Sequence, residues 1–161
     1  MSKKDLFYGD VEGRMEELKQ KPITKETLFD LASNTKMYTV NFALQKLISE
    51  EKISIYDKVK DFFPDFQDNK RARFKGKGDI TVEDLLKHQA GFPAGAQYYV
   101  NKKITKKKES DKRQNKEIVL ELICNTPLIY SPRTEVLYSD IDYMLLGLII
   151  EKVTGMPLDK Y

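Results

Sequence analysis

Between residues 33 and 51, apolar side chains recur at spacings of three and four: Met37, Val40, Leu44, Leu47 and Ile48. That spacing marks one face of an α-helix and predicts a helix over about 33–51. Ser33 stands where a hydroxyl can accept a hydrogen bond from an orphan N–H of the first turn. Ile118, Val119, Leu122 and Ile123 predict a second helix over about 116–124. The longest pattern, about 139–154, is apolar on most sides (Ile141, Leu145, Leu146, Leu148, Ile149, Val153), as in a helix inside a larger core. Gly155 and Pro157 mark its end. Thr81-Val82-Glu83-Asp84 has the T-x-x-D form of a capping box and opens a short helix ending near His88, before Gly91, Pro93 and Gly95 break the chain.

Strand signals are few. Leu6-Phe7-Tyr8 and Thr27-Leu28-Phe29 are short strand candidates, with turn residues Gly9-Asp10 and Gly13 between them. Ile53, Ile55, Val59, Phe62 and Phe63 tie an irregular stretch to the core, and residues 67–78 read as a polar, basic surface loop. Residues 102–116 hold eight Lys/Arg in fifteen positions and read as a solvated loop or insertion. An extended connection over 127–132 leads into Val136-Leu137-Tyr138. There is no internal repeat.

At 161 residues the chain is one domain or less. Seventeen Phe and Tyr residues supply enough apolar area to argue against global disorder. A net charge of +3 is too small to make nucleic acid the default partner, and the basic run lacks aromatics for base stacking. The one cysteine, Cys124, forms no intrachain disulfide and reads as a small core residue, and no Cys/His cluster offers a zinc site. No apolar run follows the basic start, so no signal peptide is visible, and the longest apolar run, 144–150, is far short of the roughly 20 residues that span a bilayer.

Ser33-Asn34-Thr35-Lys36 is an S-x-x-K. With seven Ser and 23 Lys in the chain, about one such spacing arises by chance, and Ser49-Glu50-Glu51-Lys52 is a second. Context separates them, because Ser33 sits at a helix start and Ser49 at a charged helix end. A helix N-terminus offers unpaired N–H groups and partial positive charge to a developing oxyanion. Side chains three apart on a helix are neighbours, so Lys36 reaches the Ser33 hydroxyl, which needs an adjacent base to act as nucleophile. On the residues alone, a plain N-cap beside an exposed lysine is the favoured reading. His88, the sole histidine, reads as a packed or hydrogen-bonded residue rather than a base.

The string Phe29-Asp30-Leu31-Ala32-Ser33-Asn34-Thr35-Lys36 resembles the first active-site motif of the serine β-lactamase and penicillin-binding-protein superfamily, and is nearer to its class C-like branch. Residues 80–93 resemble that branch's "ITVEDLLTHTSGLP" segment. The stretch 127–132 resembles the run ahead of its second motif. Tyr138-Ser139-Asp140 and the helix behind it, to Gly155, resemble its Y-S-N motif. Together these segments cover about residues 23–160. The resemblance implies an α+β, β-lactamase/transpeptidase-like fold, here mainly its helical part with remnants of the antiparallel sheet. It implies Ser33 as acyl-accepting nucleophile, Lys36 as its base partner, Tyr138 as proton shuttle and Asp140 as support in the second motif. The implied substrate is an amide or ester: a β-lactam, a D-alanyl or peptidoglycan-like peptide, or a small ester. No metal or organic cofactor is implied, and the family usually works outside the cytoplasm.

Departures from the pattern add expectations. Asp140 stands where the motif has Asn, which places a carboxylate beside Lys36 that would hold it protonated. Gln89-Ala90 replaces Thr-Ser, and Arg133 replaces the Gly that commonly follows the proline before the second motif. The third motif, K-T-G or H-x-G, occurs nowhere in the sequence. Residues 1–161 therefore read as a single incomplete domain that exposes apolar surface and self-associates through it. The alternative function is a catalytically inactive remnant or binding module of the same fold.

Overall fold

The computed structural model of the protein describes residues 24–96, 98, 101 and 114–161. These residues divide between two compact units, one ending at Ala32 and the other running from Ser33 to Tyr161. In the first, Thr27-Leu28-Phe29 does not form the expected strand. Its hydrogen bonds are local: the Thr27 N–H donates to Thr24 O at 3.1 Å and the Thr24 N–H to Thr27 Oγ1 at 2.9 Å. A strand is stable only with a ladder partner, and here a turn satisfies the backbone instead. The strand expected at 6–8 lies outside the described residues, as do residues 102–113 of the basic run.

The second unit is helical. A π-helical turn, Lys36–Asn41, runs into α1 (Phe42–Ser49). There follow α2 (Val59–Phe62), a 3₁₀ turn (Lys77–Asp79), α3 (Val82–Leu86), α4 (Asn115–Asn125) and α5 (Asp140–Thr154). Among the described residues the only sheet-like pairing is an isolated antiparallel bridge between Lys58 and Thr81. The predicted helices at 33–51, 116–124 and 139–154 are all present, with ends shifted by a few residues.

α5 is the centre of the core and packs against α3, the π turn, α4 and α2. Ile141, Leu145, Leu146, Ile149 and Ile150 are fully buried on it, which explains why its sequence is apolar on most sides. Val40, Leu44 and Leu47 form the buried stripe of the first helix, but Met37 is 57% exposed. The π turn accounts for the difference. Its wider i→i+5 bonding adds a residue per turn, which carries Met37 off the buried stripe and leaves Lys36 partly buried.

Local signals hold where they have a mechanism. Thr81 and Asp84 form the capping box: Thr81 Oγ1 accepts the Asp84 N–H at 3.3 Å, and Asp84 Oδ2 accepts the Thr81 N–H at 2.9 Å. Gly155 closes α5 at φ +68, its N–H donating to Glu151 O at 2.9 Å. Gly91 has φ +94, and a Cβ there would lie 2.5 Å from the Tyr130 carbonyl oxygen.

The segment 67–78, expected as a solvated loop, contains a buried exception. Lys77 is 4% exposed, and its Nζ donates to Cys124 O at 2.8 Å and Thr126 O at 2.6 Å. A cation at a helix C-terminus satisfies carbonyls that lack intrahelical partners. Lys77 thereby ties this loop to the end of α4.

Candidate active site

The first turn of the long helix sets the site. The Lys36 N–H donates to the Ser33 backbone oxygen at 3.0 Å, closing a tight turn that puts both side chains on one side. The Ser33 hydroxyl does not cap the helix as expected. It accepts instead from Lys36 Nζ at 3.2 Å and stays exposed.

α5 supplies the opposite wall. Ser139 is its N-cap: Ser139 Oγ accepts the Ile141 N–H at 3.2 Å and donates to Pro93 O at 2.7 Å. The Asp140 N–H donates to Ala94 O at 2.9 Å. These bonds fix the start of α5 against the 93–94 loop, and Tyr138 and Asp140 flank the capping serine. Lys36 Nζ lies 2.7 Å from Asp140 Oδ1 and 5.0 Å from the centre of the Tyr138 ring. The structure thus brings together Ser33, Lys36, Tyr138 and Asp140, the four residues singled out in the sequence.

Electrostatics assign the protons. Burial alone would lower the Lys36 pKa, but hydrogen bonds and charge from Asp140 and Tyr138 outweigh it, and the net shift is upward. Lys36 is therefore an ammonium at neutral pH. Hydrogen bonding from Lys36, then from Ser33, holds the Tyr138 phenol below its ordinary value. A cation beside a phenol that also hydrogen-bonds a serine hydroxyl can store that serine's proton on the phenol oxygen.

Behind this cluster lies a second one that the sequence reading did not assign to the site. Tyr143 donates its hydroxyl to Asn41 Oδ1 at 3.1 Å, and its ring centre lies 5.9 Å from Lys36 Nζ. His88 Nδ1 lies 2.9 Å from Asp142 Oδ2, and the His88 ring meets the Tyr138 ring at 4.6 Å. His88 is packed and hydrogen-bonded, but against the site itself. The available signal was Asp142, a carboxyl inside an otherwise apolar helical pattern. A separate cavity of about 560 Å³, lined by Phe63, Asp65, Glu117, Leu120 and Lys152 among others, includes none of these site residues.

A family model described as Beta-lactamase matches residues 8–161. A Salmonella agona protein named "Putative D-alanyl-D-alanine carboxypeptidase" is 51% identical over 138 residues, which is 86% of this chain and 31% of that protein. The chain therefore spans under a third of the length of such relatives. Among solved structures, a β-lactamase/D-alanine carboxypeptidase from Pseudomonas syringae is similar at 25% identity and a TM-score of 0.62, over 90% of this chain and 35% of that one. An octameric penicillin-binding protein homologue from Pyrococcus abyssi is similar at 27% identity and a TM-score of 0.62, over 87% of this chain and 30% of that one.

Proposed function

The chain belongs to the Beta-lactamase family, and from that premise we propose that it is an acyl-transfer serine hydrolase with Ser33 as its nucleophile. Its fold is β-lactamase/transpeptidase-like, present here mainly as the helical part. One observation carries the reading: an ammonium fixed by Asp140 stands 3.2 Å from the Ser33 hydroxyl and lowers the pKa of the tyrosine beside them.

Lys36 is the poorer base of the two candidates. Deprotonating a free lysine at pH 7 costs about 4.6 kcal/mol, and Asp140 raises that cost further. Tyr138 is therefore the proton acceptor, and Lys36 the cation that makes it one. The Tyr138 phenolate takes the Ser33 Oγ proton as Oγ bonds to the acyl carbon, giving a tetrahedral adduct. Collapse of the adduct breaks the bond to the leaving nitrogen or oxygen, which receives the proton from the Tyr138 hydroxyl. Water then attacks the acyl carbon while giving a proton to the Tyr138 phenolate, and Tyr138 returns that proton to Ser33 Oγ as the acyl–Oγ bond breaks.

The substrate class is an amide or ester, and the name of the Salmonella relative makes a D-alanyl-D-alanine peptide the first to try. Self-association is part of the same proposal. Met37, Tyr38 and Phe42 are 57%, 64% and 57% exposed, the Tyr38 and Phe42 ring centres are 6.2 Å apart, and the Pyrococcus homologue is octameric. The test of the nucleophile is intact-mass measurement after incubation with a fluorophosphonate or a reactive β-lactam. One adduct on the wild type and none on Ser33→Ala is the expected result. Equal labelling of both removes Ser33 from the mechanism.

A further inference from the structure

His88 follows α3 at φ +55, a left-handed conformation that a non-glycine residue keeps only when its surroundings hold it there. From that position it grips three consecutive residues of the neighbouring segment. Its carbonyl accepts the Leu137 N–H at 3.1 Å, its ring lies against Tyr138, and its Nδ1 accepts the Ser139 N–H at 3.2 Å. Tyr143 meets the same ring at 5.3 Å, and the Tyr130 hydroxyl reaches the His88 carbonyl at 3.5 Å.

The proton between His88 and Asp142 follows from these contacts. A ring nitrogen that accepts from the Ser139 N–H carries a lone pair and no hydrogen. An ionised Asp142 has nothing to donate, so its oxygen would face that lone pair at 2.9 Å with one of its own. Asp142 is 1% exposed, and its Oδ1 has no partner among the described residues, so a carboxylate charge there would be poorly solvated. A protonated carboxyl removes both conflicts, with the single Nδ1 lone pair shared between the Asp142 O–H and the longer Ser139 N–H contact. Its O–H donates to Nδ1, no charge is buried, and the ring hydrogen sits on Nε2.

The charged groups facing the pair are Lys36 and Asp140, which are ion-paired with each other, and the remaining titratable neighbours are Tyr130, Tyr138 and Tyr143. Burial pushes the Asp142 carboxyl up to about 8. Burial, then the charge of Lys36, holds His88 below its ordinary value. Both directions agree with the geometry.

We infer that His88 and Asp142 form a neutral hydrogen-bonded couple, carboxylic acid to imidazole, that positions Tyr138 and the start of α5. His88 and Asp142 are positioning residues in this arrangement. Their effect on chemistry rests on the role of Tyr138 proposed above, whereas the protonation of the couple does not.

The chain has one histidine, so ¹⁵N NMR of histidine-labelled protein reads this ring alone. At pH 7 the expected spectrum shows an unprotonated Nδ1 and a hydrogen on Nε2, with Nδ1 shifting as Asp142 ionises near pH 8. A protonated Nδ1 at pH 7 overturns the couple, and this measurement requires no variant to fold. Positioning is read from the rate of Ser33 labelling by a fluorophosphonate. His88→Phe keeps a ring against Tyr138 but loses Nδ1, and is expected to slow labelling roughly tenfold or more. Asp142→Leu should do the same, while Asp142→Asn, whose amide can still donate to Nδ1, restores the rate to within about threefold of wild type. Wild-type rates for His88→Phe and Asp142→Leu would overturn the positioning role. A wild type that takes no label sinks the acyl-transfer reading by itself, and the NMR result still decides the couple.

Discussion

Asp140 is the residue whose chemistry departs most from an amide at its position. It raises the Lys36 pKa through a 2.7 Å ion pair, and its negative charge opposes ionisation of Tyr138. Asp140→Asn removes both effects in one step. Lys36 then loses its proton at lower pH, and Tyr138 ionises at lower pH as well. The pH window in which Lys36 is charged and Tyr138 ionised therefore moves to the acid side. A pH profile of the Ser33 labelling rate is expected to shift acidward in Asp140→Asn, and an unshifted profile would contradict the assignment of Tyr138 as the base. The identities of Ser33, Lys36, Tyr138 and Asp140 were all legible in the sequence. The charge on Lys36 was anticipated from Asp140, but the geometry that also lowers the pKa of Tyr138 was not, because it depends on distances between residues about 100 positions apart.

Among the elements, the connections on either side of α4 show how a departure from the family pattern is accommodated. Arg133 stands where glycine is usual, and its φ of +69 explains that usage. Its strain is offset by the guanidinium, which donates to Asp84 Oδ1 at 2.9 Å and Oδ2 at 2.7 Å and to Asp79 O at 2.9 Å. Asp84 thus serves both the capping box and a bidentate arginine pair. Gly91 has no such alternative. A methyl group there would meet the Tyr130 carbonyl at 2.5 Å in a conformation that L residues rarely adopt. Gly91→Ala is expected to destabilise by about 1–3 kcal/mol from backbone strain, with the steric clash in addition. Chemical denaturation measures this, and a loss below about 0.5 kcal/mol would show that the loop moves freely. The turn signals of Gly91 and Gly155 were readable from composition. The π turn was not, because apolar spacing alone does not distinguish it from an ordinary helical turn.

Over the whole molecule, the buried Asp142 makes stability depend on pH. Its folded pKa of about 8 lies above an unfolded reference of about 3.9. Between those values the folded state keeps a proton that the unfolded state has released, so stability falls as pH rises and levels off above about 8. His88, held below its ordinary value, acts oppositely and only on the acid side of about 6.5. From about pH 6.5 to 8 the Asp142 slope remains, at up to about 1.4 kcal/mol per pH unit. Thermal melts should show Tm falling over that range in the wild type and staying flat in Asp142→Asn. Equal slopes would mean that Asp142 is ionised in the fold. The exposed Met37, Tyr38 and Phe42 patch leads to a separate expectation: concentration-dependent association in sedimentation velocity, weakened by Phe42→Glu. A monomer at every concentration would refute it. No helix among the described residues is long and apolar enough to cross a membrane.

What the sequence determined by itself was periodicity and motif order. Apolar spacing located three helices, Gly155 marked the end of the last, and four ordered motifs named the family and the candidate site. These signals are local or linear, and each has a mechanism that acts within a few residues. Tertiary structure decided the rest. Ser33 turned from helix cap to hydrogen-bond partner of Lys36 because the Lys36 side chain, three residues on, reaches its hydroxyl. Lys77 left the expected surface loop because the end of α4 offered it two carbonyls. Burial, rather than residue type, made Asp142 the acid that holds His88 in place. Charge state, burial and partner choice are properties of neighbours distant in sequence, and only folding sets the distances that fix them.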